Sequence, residues 1–323
     1  MIRYWLGFAV CLVTLTTAQA ELRINQIQFV GSHNSYKQAM SEPYRTLLAW
    51  SDEDAAKALE YSHPSLAQQL DLGLRKLELD VFYGPETGEF IVGHIQLIDM
   101  NSHCETLRLC LEQLVRWSLA HPSHEPIWIS FNAKDQIIDW LPEPVTFDAE
   151  ALNALDEVLE ASLGGMLIRP ASVKVAGQPQ PKWPLLDDAR GKFLLVLDET
   201  GLKRDLYLTG WQKRPMFAAV DADHPAAAVL IINDPVAERA RIQALVEAGF
   251  LVRTRADANT VEARANDTGR RDAAFASGAQ AVSTDFYLSR NAFGNDYRVW
   301  IEEGVRCNPV SAPKNCAVKT IER

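Results

Sequence analysis

The stretch "LRKLELDVF", residues 74–82, sets the terms on which the chain is read. Leu77 and Leu79 share one face of a β-strand and Glu78 and Asp80 the other, because residues two apart point the same way. Two adjacent carboxylates repel, and burying them without partners is costly. A bound cation resolves the conflict, and a site built from oxygens favours a hard ion such as Ca²⁺ or Mg²⁺ over zinc. The competing reading is an ion pair with Lys76, Arg75 or an arginine from another strand.

Seven further apolar runs read as strands: "QIQFVGSH" (26–33), "PIWISFN" (126–132), "KFLLVLDE" (192–199), "PMFAAV" (215–220), "AAVLIIN" (227–233), "FLVRTRA" (250–256) and "AQAVSTDF" (279–286). Most are continuously apolar, as expected of parallel strands covered on both faces. Helical patterns fall at 104–120, 148–163, 235–249 and 267–278. Strands alternating with helices over this length predict a (β/α)8 TIM-like barrel. The alternation is irregular at 171–185 and 199–216, so the barrel is expected to be distorted. Active sites in this architecture lie at the C-terminal ends of the strands.

The composition, 47% hydrophobic and 23% charged over 323 residues, excludes collagen, coiled coil and long disorder. Residues 1–20, "MIRYWLGFAVCLVTLTTAQA", combine an early Arg3, a short apolar run and a small-residue end, which predicts an export signal cleaved after Ala20. The expected organisation is therefore a leader over 1–20 and one barrel domain over 21–323, exported to a periplasm or released. Loss of Arg3 leaves 31 Lys and Arg against 42 Asp and Glu, net −11 with His neutral. That argues against nucleic acid and mildly against loose adsorption to anionic membranes. Without Cys11, four cysteines remain, and closeness in sequence suggests Cys104–Cys110 and Cys307–Cys316, one of three possible pairings. No obligate protein partner is evident.

The strand ends carry the candidate chemistry. The first ends at His33-Asn34 and the second holds Glu78 and Asp80. The excursion "YGPETGEFIVGHIQL" (83–97) brings His94 back toward the same end of the barrel. On the third, Ser130, Asn132 and Lys134 share a face; Asn132 can lend a neutral oxygen to a metal and Lys134 can hold a phosphate. Arg253, Arg255 and Asp257 share a face near the seventh, and Asp285 closes the eighth, forming either a structural ion-pair network or substrate contacts. His63, His103, His121, His124 and His224 lie in polar or proline-flanked loops and read as surface residues.

Taken together, "GSHNSY", "YSHPSLAQQLDLGLRKLELDVF", "GHIQLIDMNSHC", "RTRADANTVEARANDTGRRDAAFASGAQAVSTDF" and "CNPV" resemble the bacterial and fungal calcium-dependent phosphoinositide-specific phospholipase C family. The likeness spans nearly the whole chain after the leader. It implies a TIM-like barrel, one Ca²⁺, and cleavage of phosphatidylinositol or a related inositol phosphodiester. The inositol 2-hydroxyl would attack phosphorus, giving a cyclic inositol phosphate and diacylglycerol. It further implies His33 and His94 as catalytic histidines and Asn34, Glu78 and Asp80 as calcium ligands. Asn132 stands where the wider group has another acidic ligand, and fewer ligand charges mean weaker Ca²⁺ binding. Asp135 could compensate only if the chain bulges, since by strand parity it points away. Lys134, Arg253 and Arg255 are the candidate substrate contacts.

Two other readings are carried. A glycerophosphodiester phosphodiesterase would use a similar barrel, paired histidines and a metal on a soluble diester, with no need to approach an anionic lipid surface. A non-catalytic inositol-phosphate or headgroup-binding protein would explain Asn132, but not the two histidines and two carboxylates beside it. The substrate is thus expected to be an inositol phospholipid, met in transient contact with a membrane surface, or a soluble inositol phosphodiester.

Overall fold

The structure, a computed structural model, describes residues 21–174, 178–317 and 321. The expected leader and Cys11 lie outside these residues. Eleven strands form one sheet: β1 (Ile27–Ser32), β2 (Lys76–Gly84), β3 (Glu89–Val92), β4 (Ile127–Ala133), β5 (Leu167–Ile168), β6 (Phe193–Leu197), β7 (Phe217–Ala218), β8 (Val229–Ile231), β9 (Leu251–Arg255), β10 (Ala281–Thr284) and β11 (Val305–Cys307). The hydrogen-bonded order is β5-β6-β4-β2-β1-β10-β9-β8, with β7 also on β6, β3 on β2 and β11 on β1. All pairings are parallel except β2–β3 and β1–β11.

The result is a curled, largely parallel sheet, a distorted version of the expected barrel. Among the described residues no ladder joins β7 to β8, and the sheet stays open there. The connection explains the gap. Adjacent parallel strands are joined by a crossover of a dozen or more residues, usually helical. Residues 219–228 are fewer, contain Pro225 and form no helix.

The alternation in 74–82 is observed as a division between two environments. Leu77, Leu79 and Val81 are fully buried in a cluster with Leu107, Leu111 and Leu114 of the helix Leu107–Ala120 and Leu152, Leu155 and Leu159 of the helix Ala149–Leu163. Burying a leucine side chain contributes about 1.5–3 kcal/mol, so this layer fixes which face of β2 turns inward. On the other face Lys76, Glu78 and Asp80 point into the barrel. Its floor is apolar, with Phe29, Trp128, Leu194, Val229 and Leu251 in one cluster.

The helices near 104–120 and 148–163 start where side chains cap them: Thr106 accepts from the Leu109 N–H and Asp148 from the Ala151 N–H. The other two predicted helices are shorter than expected, Arg239–Glu247 and Gly269–Ala276. Between β1 and β2 the chain forms three short helices, Glu42–Ser51, Glu53–Ala58 and Leu66–Asp71, which the apolar pattern did not announce. Both expected disulfides are present, Cys104–Cys110 and Cys307–Cys316. Among the described residues no helix is long and apolar enough to cross a membrane.

Candidate active site

The site is assembled at the C-terminal ends of β1, β2, β4, β9 and β10. His33 follows β1, and its N–H donates to the Thr284 carbonyl at 3.1 Å, continuing the β1–β10 ladder. Asn34 then turns the chain with φ of 45°, a left-handed conformation that asparagine tolerates better than most residues. The turn buries the Asn34 amide, whose Nδ2 donates to the Tyr61 hydroxyl at 2.8 Å. Ser35 ties the turn to β2: its N–H donates to the Glu78 carbonyl at 3.0 Å, and its Oγ accepts from the Glu78 N–H at 2.7 Å.

Asp80 on β2 lies opposite Asn132 on β4 in register. The Asn132 Nδ2 donates to Asp80 Oδ1 at 2.9 Å and to Glu78 Oε1 at 3.2 Å. The far oxygen of Glu78 receives Lys76 Nζ and, at 2.9 Å, the Arg253 guanidinium. Burial works to raise the Glu78 carboxyl, but the Lys76 and Arg253 charges outweigh it and hold it well below the usual carboxylate range. Lys134 sits 3.2 Å from Asp80 Oδ2. The ion-pair reading of the paired carboxylates is therefore the one observed: cations cover their outer oxygens, while one oxygen of each accepts from the Asn132 amide.

His33 is held from several sides. Its Nδ1 is 3.1 Å from Asp285 Oδ1, and its Nε2 is 3.6 Å from Glu78 Oε1. Burial, with Arg255 nearby, lowers its pKa well below the ordinary value despite Glu78, so the ring is neutral near pH 7. A neutral ring bonded to a carboxylate through Nδ1 carries its proton there and leaves the Nε2 lone pair free. Asp285 is backed by Arg255 at 3.7 Å, and its N–H donates to Asp257 Oδ1 at 3.0 Å. Burial and the neighbouring Asp285 charge push Asp257 up to about 7.

His63 departs from the expectation of a surface loop. It is buried, and its Nε2–H donates to the His33 carbonyl at 2.7 Å while its Nδ1 accepts from the Tyr287 hydroxyl at 3.1 Å. Burial lowers it to about 4. His124 is buried as well, bonded to Ser118 and the Glu125 carbonyl beneath the barrel. Neither could be told from local sequence, because long-range packing covers both.

His94 stands just beyond β3 in a second network. Its Nδ1 is 3.2 Å from Asp99 Oδ2, and Asp99 Oδ1 is 2.5 Å from Lys37 Nζ. Tyr61 links the two networks: its ring lies 5.4 Å from Lys37 Nζ and its hydroxyl 3.4 Å from His33 Nδ1. The structure therefore gathers His33, Glu78, Asp80, Asn132, Lys134 and Arg253 directly, and Asn34 and His94 by way of Tyr61 and Lys37. Arg253 is buried against Glu78 and Asn233, which places it behind the carboxylates. Arg255 is the more open of the two arginines. Asp135 points away, as parity required, onto Lys203 and the Phe147 N–H. Sequence reasoning missed Lys37, Tyr61, His63, Asp99 and Tyr287, all supplied by loops where no periodicity marks direction.

Among the described residues no three His, Cys, Asp or Glu side chains cluster as a metal site. The candidate ligands here are two carboxylates and two amides. Turned over, the Asn132 amide would present its oxygen to Glu78 Oε1 and Asp80 Oδ1, a set of three oxygens suited to a bound cation. That donor set fits a hard ion bound with modest charge.

A family model described as "Phosphoinositide phospholipase C, Ca2+-dependent" matches residues 22–93 and 90–309. No curated protein matches the chain by sequence. Among solved structures, the apo calcium-dependent phosphoinositol-specific phospholipase C of a Pseudomonas species is similar, with 17% identity, TM-score 0.59 and coverage of 90% of this chain and 97% of that one. The Ca²⁺-dependent phosphatidylinositol-specific phospholipase C of Streptomyces antibioticus gives 19%, 0.55, 82% and 95% in the same terms. A variant of the Staphylococcus aureus phosphatidylinositol-specific phospholipase C gives 13%, 0.54, 85% and 90%. These likenesses agree on the fold.

Proposed function

Because the chain belongs to the Ca²⁺-dependent phosphoinositide phospholipase C family, we propose that it cleaves phosphatidylinositol with His33 as general base and His94 as general acid. The observation that carries this assignment is the geometry of His33, held by Asp285 Oδ1 3.1 Å from Nδ1 with its Nε2 turned to the side of Glu78. Nε2 is then an acceptor, suited to take the proton of the inositol 2-hydroxyl. The alternative bases are already engaged: Glu78 by Lys76, Arg253 and Asn132, and Asp80 by Asn132 and Lys134.

In the first step the 2-hydroxyl oxygen bonds to phosphorus as its proton passes to His33 Nε2. The imidazolium so formed lies between Asp285 and Glu78, which stabilise its charge. The bond from phosphorus to the glycerol oxygen breaks, and that oxygen takes a proton from His94. The products are diacylglycerol and a 1,2-cyclic inositol phosphate. Lys134, drawn from Asp80, lies where it can meet a phosphoryl oxygen, and Arg255 on the far side of His33 backs Asp285. Calcium, when held by Asn34, Glu78, Asp80 and Asn132, supplies charge stabilisation for the phosphoryl oxygens and lowers the pKa of the attacking hydroxyl.

A lipid surface suits this molecule better than a soluble diester. Large apolar side chains stand exposed on the loops at the C-terminal end of the sheet: Leu47 and Trp50 after β1, Leu97 after β3, Ile137 and Trp140 after β4. Trp50 is 84% and Trp140 53% exposed. Exposed apolar groups on the same rim as a site mark contact with an apolar partner, and tryptophan favours the membrane interface. The two disulfides suit the oxidising compartment to which a leader over 1–20 would deliver the chain.

Phosphorus NMR of the protein with phosphatidylinositol micelles tests the proposal. A cyclic inositol phosphate resonance is expected with Ca²⁺ and none with excess chelator. Turnover of glycerophosphoinositol alone would move the assignment to a soluble diesterase, and no turnover of either would leave a binding protein.

A further inference from the structure

We propose that Lys37 is a positioning residue for the proton donor His94, acting through Asp99. The inference rests on the reading of His94 as general acid. Lys37 belongs to the loop after β1, yet its side chain is buried at 1% exposure beside an equally buried Asp99. A fully buried lysine is rare and is retained with a partner. Here the partner is a single carboxylate that faces two ways, with Oδ1 at 2.5 Å from Lys37 Nζ and Oδ2 at 3.2 Å from His94 Nδ1.

The geometry assigns each end a task. Asp99 Oδ2 can hold the proton on Nδ1, which leaves Nε2–H as the one His94 gives to the glycerol oxygen. A carboxylate with the imidazolium as its sole counter-ion would grip that cation and keep its proton back. Lys37 is the second counter-ion, so Asp99 orients the ring without taking its whole charge.

Lys37 is itself firmly placed. Its N–H donates to the Asn34 carbonyl and its carbonyl accepts from the His63 N–H, both at 2.9 Å, and it bridges to Ser102 on the loop beyond His94. It therefore joins the turn that carries His33 to the loop that carries His94. His94 Nδ1 and Asp99 Oδ2 are both buried without an aligned hydrogen bond. A small rotation of the ring would align them, and catalytic hydrogen bonds commonly tighten only when substrate is bound.

A leaving-group comparison separates this role from simple support of the fold. Wild type, Lys37→Met, Asp99→Asn, His94→Ala and the charge-neutral pair Lys37→Met/Asp99→Asn are assayed with saturating Ca²⁺. One substrate is phosphatidylinositol; the other is an inositol phosphodiester with p-nitrophenol as leaving group, which departs without a proton. Lys37→Met is expected to lower kcat on phosphatidylinositol by roughly 100-fold, the lower range for general acid catalysis, with KM within about 2-fold. On the p-nitrophenyl diester it should lose less than about 5-fold, since no proton donor is required. Equal losses on both substrates would make Lys37 a merely structural residue and overturn the proposal.

The His94→Ala control keeps the two ideas apart. Equal losses in that variant overturn the donor assignment itself. A loss that depends on leaving group in His94→Ala, but not in Lys37→Met, overturns only the role of Lys37. Should Lys37→Met fail to fold with Asp99 left unpaired, Lys37→Gln, which keeps an N–H for Asp99 without the charge, decides. It must show a loss that depends on leaving group while the neutral pair matches Asp99→Asn, and a wild-type ratio of the two rates in Lys37→Gln overturns the proposal.

Discussion

At the scale of single residues, the environment of His33 decides what it can do. Asp285 selects its tautomer, so Asp285→Asn should remove most of the rate while leaving the fold intact. An asparagine can present its N–H to Nδ1, which moves the ring proton to Nε2 and turns the acceptor into a donor. The expected loss in kcat is about 100-fold or more, the scale of general base catalysis, checked by steady-state kinetics beside a thermal melt. His63 gives a pH signature of a different kind. Its folded-state pKa of about 4 lies below the ordinary 6.5, so the folded protein binds fewer protons than the unfolded chain between those values. Stability from this group is fully present above pH 6.5 and is lost as pH falls toward 4, by up to roughly 3 kcal/mol. His63→Gln keeps an N–H for the His33 carbonyl but cannot titrate. Urea midpoints measured from pH 7 to pH 4.5 should therefore fall less steeply in the variant than in wild type. Asp257, pushed up from 3.8 to about 7, acts with the opposite sign over the whole of that range, so the difference between the two proteins is the quantity to compare. The residues that strand parity could place, Glu78, Asp80, Asn132 and Lys134, were legible in the sequence. The loop residues that orient the histidines were not, because no periodic rule says where a loop side chain points.

At the scale of elements, β1 and β2 show how close packing and chemistry meet. Gly31 pairs with Lys76 in the parallel ladder, and a Cβ on Gly31 would run into the Lys76 Cβ and carbonyl. The missing side chain lets β1 and β2 approach closely at this pair. Gly31→Ala has to push β1 from β2, and overpacking of this kind costs about 1–3 kcal/mol or more. A fall in the urea midpoint, with loss of turnover exceeding the loss of folded protein, is the expected result. A variant of unchanged stability would show that the two strands can part without harm. The same elements show what sequence conveys. Long runs with a clear period, such as 74–82 and the helix near 148–163, were read correctly because burial enforces the period. The two-residue strand β5 and the short helices of 42–58 have too few residues for a period to register, whereas β7, equally short, lies inside the apolar run 215–220. The irregular connections expected at 171–185 and 199–216 both precede β7, so the open seam between β7 and β8 was not foreseen.

At the scale of the whole molecule, charge and apolar surface pull in opposite directions. Residues 21–323 carry 31 basic and 42 acidic side chains, net −11 with His neutral, and phosphatidylinositol is itself anionic. Long-range forces therefore oppose approach to such a surface, while in the proposed lipid contact Trp50 and Trp140 would provide a short-range attraction that salt does not screen. The Debye length shrinks from about 30 Å at 0.01 M salt to about 10 Å at 0.1 M, so repulsion fades and insertion of the rim remains. Binding to phosphatidylinositol vesicles should then strengthen as salt rises, at constant Ca²⁺, the reverse of a basic peripheral protein. Trp50→Ala/Trp140→Ala should lose about 10-fold or more in vesicle affinity, given about 25 cal/mol for each Å² of apolar surface withdrawn from water. Its turnover of a short-chain monomeric substrate should change little, because neither side chain touches the histidine networks. Vesicle sedimentation across a salt series decides the matter: affinity that falls with salt in wild type, or persists in the double variant, would place the lipid contact elsewhere on the molecule.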